Sequence, residues 1–159
     1  MSQNLILPQL ISLPVLNLPS FEPQLQRVDD KYFIFDSLRK KYLALTPEEW
    51  VRQHFAIFMR DHLGYPQGYM ALEVGLVLNG LTNRADIVTY DRTGKPWMIV
   101  ECKAPDVKIS PEVFYQASRY QNGLAAPFIV VTNGLVHGCC AWLDGRFEFQ
   151  KSFPKYPEE

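Results

Sequence analysis

Short apolar blocks separated by turn residues run along most of this chain, and their spacing changes from strand-like to helix-like and back. Residues 31–36 (KYFIFD) and 42–45 flank a polar stretch at 37–41 and predict a short hairpin. Thr46-Pro47-Glu48-Glu49 then opens a helix: Thr46 suits the N-cap, Pro47 the first turn, and Glu49 completes a capping box. Val51, Phe55, Phe58 and His62 give that helix an apolar face, and Gly64 is its expected stop. Three strands follow at 69–78, 84–90 and 96–103, with turn signals at Asn79-Gly80 and Thr93-Gly94. Ser110-Pro111-Glu112 caps a second helix running to about Asn122, with Gly123 behind it. A buried-looking strand at 127–132 ends at Asn133-Gly134, and 139–143 with 147–151 form a last hairpin about Asp144-Gly145. The order of helix, three strands, helix and further strands predicts an α/β protein, a mixed sheet flanked by helices.

The first thirty residues break this pattern. The apolar start (MSQNLILPQLISLPVLNLPSF) lacks an early basic region and is interrupted by prolines, so it resembles neither a signal peptide nor a membrane span. An extended arm over 1–30, one domain over 31–152 and a tail over 153–159 are expected, with no membrane association. At 159 residues the chain has the length of one domain with a real core. A formal charge of −1 argues against binding polyanions by bulk charge and leaves room for a local basic groove. Three cysteines without a CxxC pair suit a reducing cytoplasm and disfavour zinc.

The chemistry sits in RADIVTYDRTGKPWMIVECKAP, where Asp86, Glu101 and Lys103 interrupt apolar strand runs. Charges in such places cost free energy unless paired. Side chains alternate along a strand, so Glu101 and Lys103 share a face and Cys102 points away. A two- or four-residue loop centred between Thr93 and Gly94 sets Asp86 directly against Glu101, roughly 5 Å apart at Cβ. A three-residue loop ending at Gly94 instead sets Asp86 against Val100 and separates the acids, so a shared site requires the even loop. Two opposed carboxylates repel unless one protonates or a cation binds. Oxygen ligands suit Mg²⁺ or Mn²⁺, held by Asp86, Glu101 and the carbonyl of Cys102, with Lys103 stabilising charge on a phosphate. Those residues outline a metal-dependent phosphodiesterase.

The run from Asp86 to Lys103 resembles the PD-(D/E)xK nuclease superfamily. More closely, KKYLALTPEEWVRQ, RADIVTYD and GKPWMIVECKAP resemble the N-terminal nuclease domain of type I restriction enzyme R subunits. The resemblance implies a restriction-endonuclease-like fold and DNA cleavage with Mg²⁺ or Mn²⁺. It also implies metal ligation by Asp86 and Glu101 and a catalytic Lys103. Ala85 stands before Asp86 where the motif name has proline, and no GxxxxGK[ST] phosphate loop occurs, so this sequence contains no ATP-driven motor. The family's helix glutamate falls on Glu48 or Glu49, with Glu49 preferred. Glu49, Arg52 and Gln53 line one polar stripe. A QxxxY helix in related nucleases points to Gln116, with Tyr120 read as packing. Arg52, Arg84, Lys108 and Arg119 are candidates for phosphate contact. Glu73 either pairs with Arg84 across the sheet or sits near the metal. The histidines lack metal-ligand spacing. A DNA partner is expected, with a homodimer or a separate restriction or repair subunit completing the groove. The alternative is a non-catalytic module that binds nucleic acid or a partner on a nuclease fold.

Overall fold

The computed structural model describes residues 13–158. Residues 1–12 of the expected arm and Glu159 of the expected tail lie outside them. Strands β1 (Leu25–Val28), β2 (Lys31–Asp36) and β3 (Lys41–Ala44) form a small antiparallel sheet. Helix α1 (Pro47–Asp61) follows, capped by Thr46 Oγ1, which accepts from Glu49 N at 3.0 Å. A larger sheet is built from β4 (Met70–Leu78), β5 (Leu81–Tyr90), β6 (Pro96–Cys102), β7 (Phe128–Thr132), β8 (His137–Leu143) and β9 (Arg146–Gln150). They lie in chain order, antiparallel throughout except for the parallel β6–β7 pair. The crossover joining that pair carries α2 (Pro111–Ser118) and the short α3 (Gln121–Leu124). The architecture is the mixed α/β sheet with flanking helices that the pattern predicts.

Alternation along the central strands divides the core between two faces. Met98, Val100, Cys102 and Val130 pack with Trp50, Val51, Phe55, Ala56 and Met59 of α1. Ile99, Ile129 and Val131 pack on the other face with Ala117 and Tyr120. The small sheet is no appendage, because Ile34 of β2 is fully buried in the α1-side core. Before β1, Leu13 and Leu16 join that core, and Leu16 covers Gly134 so closely that a Cβ there would lie 2.7 Å from Cδ2 of Leu16. Phe153 and Tyr156 close the same cluster from the C-terminal side, with Pro154 O accepting from Tyr65 Oη at 2.8 Å.

Three local features differ from the sequence expectation. The last residues of the expected arm form β1, paired antiparallel with β2. The second helix stops at Ser118 rather than near Asn122, and Gly123 lies inside α3. The chain tightens there, Tyr120 N bonding Ala117 O at 3.1 Å, which carries the Tyr120 ring into the core and its hydroxyl to Arg84 O at 2.9 Å. Strand β5 begins three residues earlier than predicted, at Leu81, paired with Leu78 across Asn79-Gly80. Among the described residues no helix is long and apolar enough to cross a membrane.

Because Ile34 ties the small sheet to α1, truncation there is expected to act on the whole domain. Ile34→Ala should lower the unfolding free energy by about 2–5 kcal/mol, in a single urea transition followed by tryptophan fluorescence. A separate early transition, or no change, would show the small sheet to be energetically independent.

Candidate active site

The β5–β6 connection decides where the acids meet. Asp91 N bonds Lys95 O at 2.8 Å and Gly94 N bonds Asp91 O at 3.0 Å, leaving a three-residue excursion that ends at Gly94. Gly94 has φ +85°, which a residue with a Cβ rarely adopts. The Asp91 carboxylate holds this turn by accepting from Thr93 N at 2.8 Å and Lys95 N at 3.0 Å. The odd loop, expected to part the acids, does set Tyr90 against Pro96. The register then shifts: Thr89 pairs with Met98, so Trp97 is an extra residue on β6. From there Val88 faces Ile99 and Ile87 faces Val100, and the next position brings Asp86 opposite Glu101. An odd loop and a bulge together give the register ascribed to an even loop. Asp86 Oδ2 accepts from Cys102 N at 2.7 Å, fixing the carboxylate to the end of β6.

Glu101 Oε1 accepts from Lys103 Nζ at 3.2 Å. Its Oε2 is buried and has no hydrogen-bond partner among the described residues. Burial and, next, the negative charge of Asp86 push the Glu101 carboxyl up to about 7, against the opposing pull of Lys103. Tyr120, 2% exposed, brings its hydroxyl near the same acid, which pulls against that rise alongside Lys103.

A lattice of ion pairs surrounds this pair. Arg52, 6% exposed, donates to Asp86 Oδ1 from Nη2 at 2.7 Å and from Nε at 3.2 Å. It also pairs with Glu49 through Nη1 and with Glu48 at 3.0 Å, and stands 3.7 Å from Glu73. Burial alone works against its charge, but Asp86 and Glu49 outweigh it and hold the guanidinium protonated more firmly than usual. The carboxyl of Glu48 is raised, by burial first and then by Asp86. Glu49 turns its carboxylate away from its own helix end and accepts from Arg39 at 2.7 Å and from Gln53 at 2.9 Å.

Arg39 escapes the sequence reading. It projects from the β2–β3 turn and pairs with Asp36, with Glu49 and, at 2.6 Å, with Glu73. Nothing local in SLRKKY distinguishes it from its neighbouring cations; only the fold brings it to acids on two other elements. Glu73 is settled the same way. Arg84 faces Gly75 across the sheet, whereas Glu73 lies at the unpaired position opposite Asp86 and binds Arg39. Its φ of +52° is a strained value for a residue other than glycine, and such strain gathers at functional sites.

The structure thus brings together Asp86, Glu101, Lys103, the backbone of Cys102, Glu49 and Arg52. The Cys102 thiol points to the opposite face, in the α1-side core. Gln116 is exposed on α2, and Tyr120, read as packing, is buried in the core and also lies near Glu101. Arg84, Lys108 and Arg119 are exposed, and Arg119 stacks over the Tyr120 ring at 5.5 Å. His54 bonds Trp50 O at 2.8 Å and His137 lies 3.1 Å from Asn17 O, both in packing roles. Among the described residues no group of three or more His, Cys, Asp or Glu side chains is already arranged to hold a metal ion.

No curated protein matches this chain. A family model described as type I restriction enzyme R protein N terminus matches residues 47–154. The match runs from the first residue of α1 past the end of β9, so it contains Glu49, Arg52, Glu73, Asp86, Glu101 and Lys103 and leaves out Arg39. It covers more than half of the chain, which therefore belongs to the type I restriction enzyme R protein N-terminal family.

Proposed function

We propose that this chain is a nuclease domain that hydrolyses DNA phosphodiester bonds with a divalent metal, Mg²⁺ or Mn²⁺. The observation that carries the reading is the meeting of Asp86 and Glu101 beside Lys103, with one buried oxygen of Glu101 left without a hydrogen-bond partner among the described residues. An unsatisfied buried carboxylate oxygen beside a second carboxylate costs free energy that a hard cation would relieve. The donor set fits such an ion: the carboxylates of Asp86 and Glu101 and the carbonyl of Cys102 are all oxygen ligands. When bound, the metal supplies Lewis-acid polarisation of the scissile phosphate and acidification of water.

The chain's own residues do the rest. Lys103, held at 3.2 Å by Glu101, presents an ammonium where charge develops on phosphate oxygens. The Cys102 N–H fixes the angle of the Asp86 carboxylate. Glu49 shapes the outer wall through its two arginine partners, and Gln116 stands exposed on the helix that carries Tyr120 beside Glu101. Exposed Arg84, Lys108 and Arg119 offer contacts to the DNA backbone, which position the duplex without reading sequence.

Incubation of the purified chain with plasmid and Mg²⁺ tests the reading. Lys103→Ala should cut at a rate lower by about 10²–10³-fold, the usual cost of removing one group that stabilises transition-state charge, with its circular dichroism unchanged. Equal residual cutting by both proteins would leave a non-catalytic binding module as the better reading.

The metal-free protein has a second expected behaviour. With its proton held to about 7 in the folded state against an ordinary 4.5, Glu101 keeps a proton that the unfolded chain releases. Its contribution to stability is therefore lost as pH rises through that window. Wild type should lose stability relative to Glu101→Gln between about pH 5 and pH 7, as read by paired denaturant titrations. A constant difference across that range would contradict the shifted carboxyl.

A further inference from the structure

We infer that Arg52 is an internal cation occupying Asp86 in the metal's stead, so that metal binding is an exchange in which Arg52 must leave Asp86. This rests on the metal reading above and concerns how the site is regulated. Both Asp86 oxygens are engaged: Oδ1 by two nitrogens of Arg52, at 2.7 and 3.2 Å, and Oδ2 by Cys102 N at 2.7 Å. Glu101, by contrast, has an oxygen with no partner among the described residues. A metal shared by the two acids therefore meets one that is ready and one that is already paired.

The competition is a matter of charge. A guanidinium cannot shed its proton, so a divalent ion on Asp86 faces a fixed positive charge a few ångströms away in a largely buried setting. Arg52 nonetheless has somewhere to go. Glu49 already holds its Nη1, Glu48 lies at 3.0 Å, and Glu73 at 3.7 Å. Arg39 grips Glu49 and Glu73 from the other side at 2.7 and 2.6 Å, so these acceptors stay in place whether or not Arg52 pairs with Asp86. Arg52 can thus give up Asp86 without becoming an unpaired buried charge, which would be the costly outcome. Two arrangements of one side chain, with the metal choosing between them, amount to a switch at the site.

The test uses the whole chain and two readouts that need no cleavage. Calorimetric titration with Mn²⁺ should show Arg52→Gln binding about ten-fold tighter than wild type, within the usual range for two ligands coupled through one group. In wild type, the NMR resonance of Arg52 Nε–H should move on saturation with Mg²⁺, while that of Arg39, whose Nε faces Asp36, stays in place. The NMR experiment needs no variant, so it decides the matter even if Arg52→Gln fails to fold. If wild type binds metal but Arg52→Gln binds no tighter, or the Arg52 resonance stays fixed at saturation, the exchange is overturned and the metal reading stands. If neither protein binds Mn²⁺, both fall.

Discussion

The pairing of Arg52 with Asp86 is the interaction on which the site depends. Asp86, Glu101 and Glu49 are carried to places of little solvent access, where like charges cannot coexist without compensation. Arg52 satisfies Asp86 and Glu49 together, and Arg39 ties Glu49 to Glu73 and Asp36. Breaking one member of such a buried set strands its partners, whereas the set as a whole contributes little beyond its own desolvation cost. Its value lies in geometry: it holds acids from α1, β4 and β5 in one place. Glu101 is the acid it leaves out, and that acid alone has an unsatisfied buried oxygen among the described residues.

Backbone devices deliver these side chains with similar economy. The tight turn at Gly94 and the extra residue at Trp97 each displace the β5–β6 register, and only their combination faces Asp86 toward Glu101. Trp97 is anchored for that role. Its Nε1 donates to Tyr65 Oη at 3.2 Å and its ring meets Phe128 edge-on at 5.0 Å. The core on the α1 side therefore reaches the site through the bulge, and packing there sets the spacing of the carboxylates.

Much of this was legible in the residues, and the gaps have physical reasons. Apolar blocks and turn dipeptides locate most strands, and the charges of RADIVTYD and VECKAP identify the centre because charge in a strand needs a partner. The bulge was not legible, since it depends on what Trp97 packs against. Arg39 was hidden because its acids come from β2, α1 and β4, contacts that no local pattern encodes. Tyr120 packs in the core as its spacing suggests, but its nearness to Glu101 was not legible, because the break after Ser118 that brings it there has no local signal. Gln116 stays exposed on α2. The family match begins at Pro47, so it leaves out the β2–β3 hairpin whose Arg39 completes the lattice.

Under the proposed nuclease reading, the arginines hold the acids in register until a metal binds. Anomalous diffraction from crystals grown with Mn²⁺ tests it most directly. The account predicts a peak between the carboxylates of Asp86 and Glu101, with the Arg52 guanidinium withdrawn onto Glu49 and Glu48. Well-ordered carboxylates with no peak between them, and Arg52 still paired to Asp86 at saturating Mn²⁺, would contradict it.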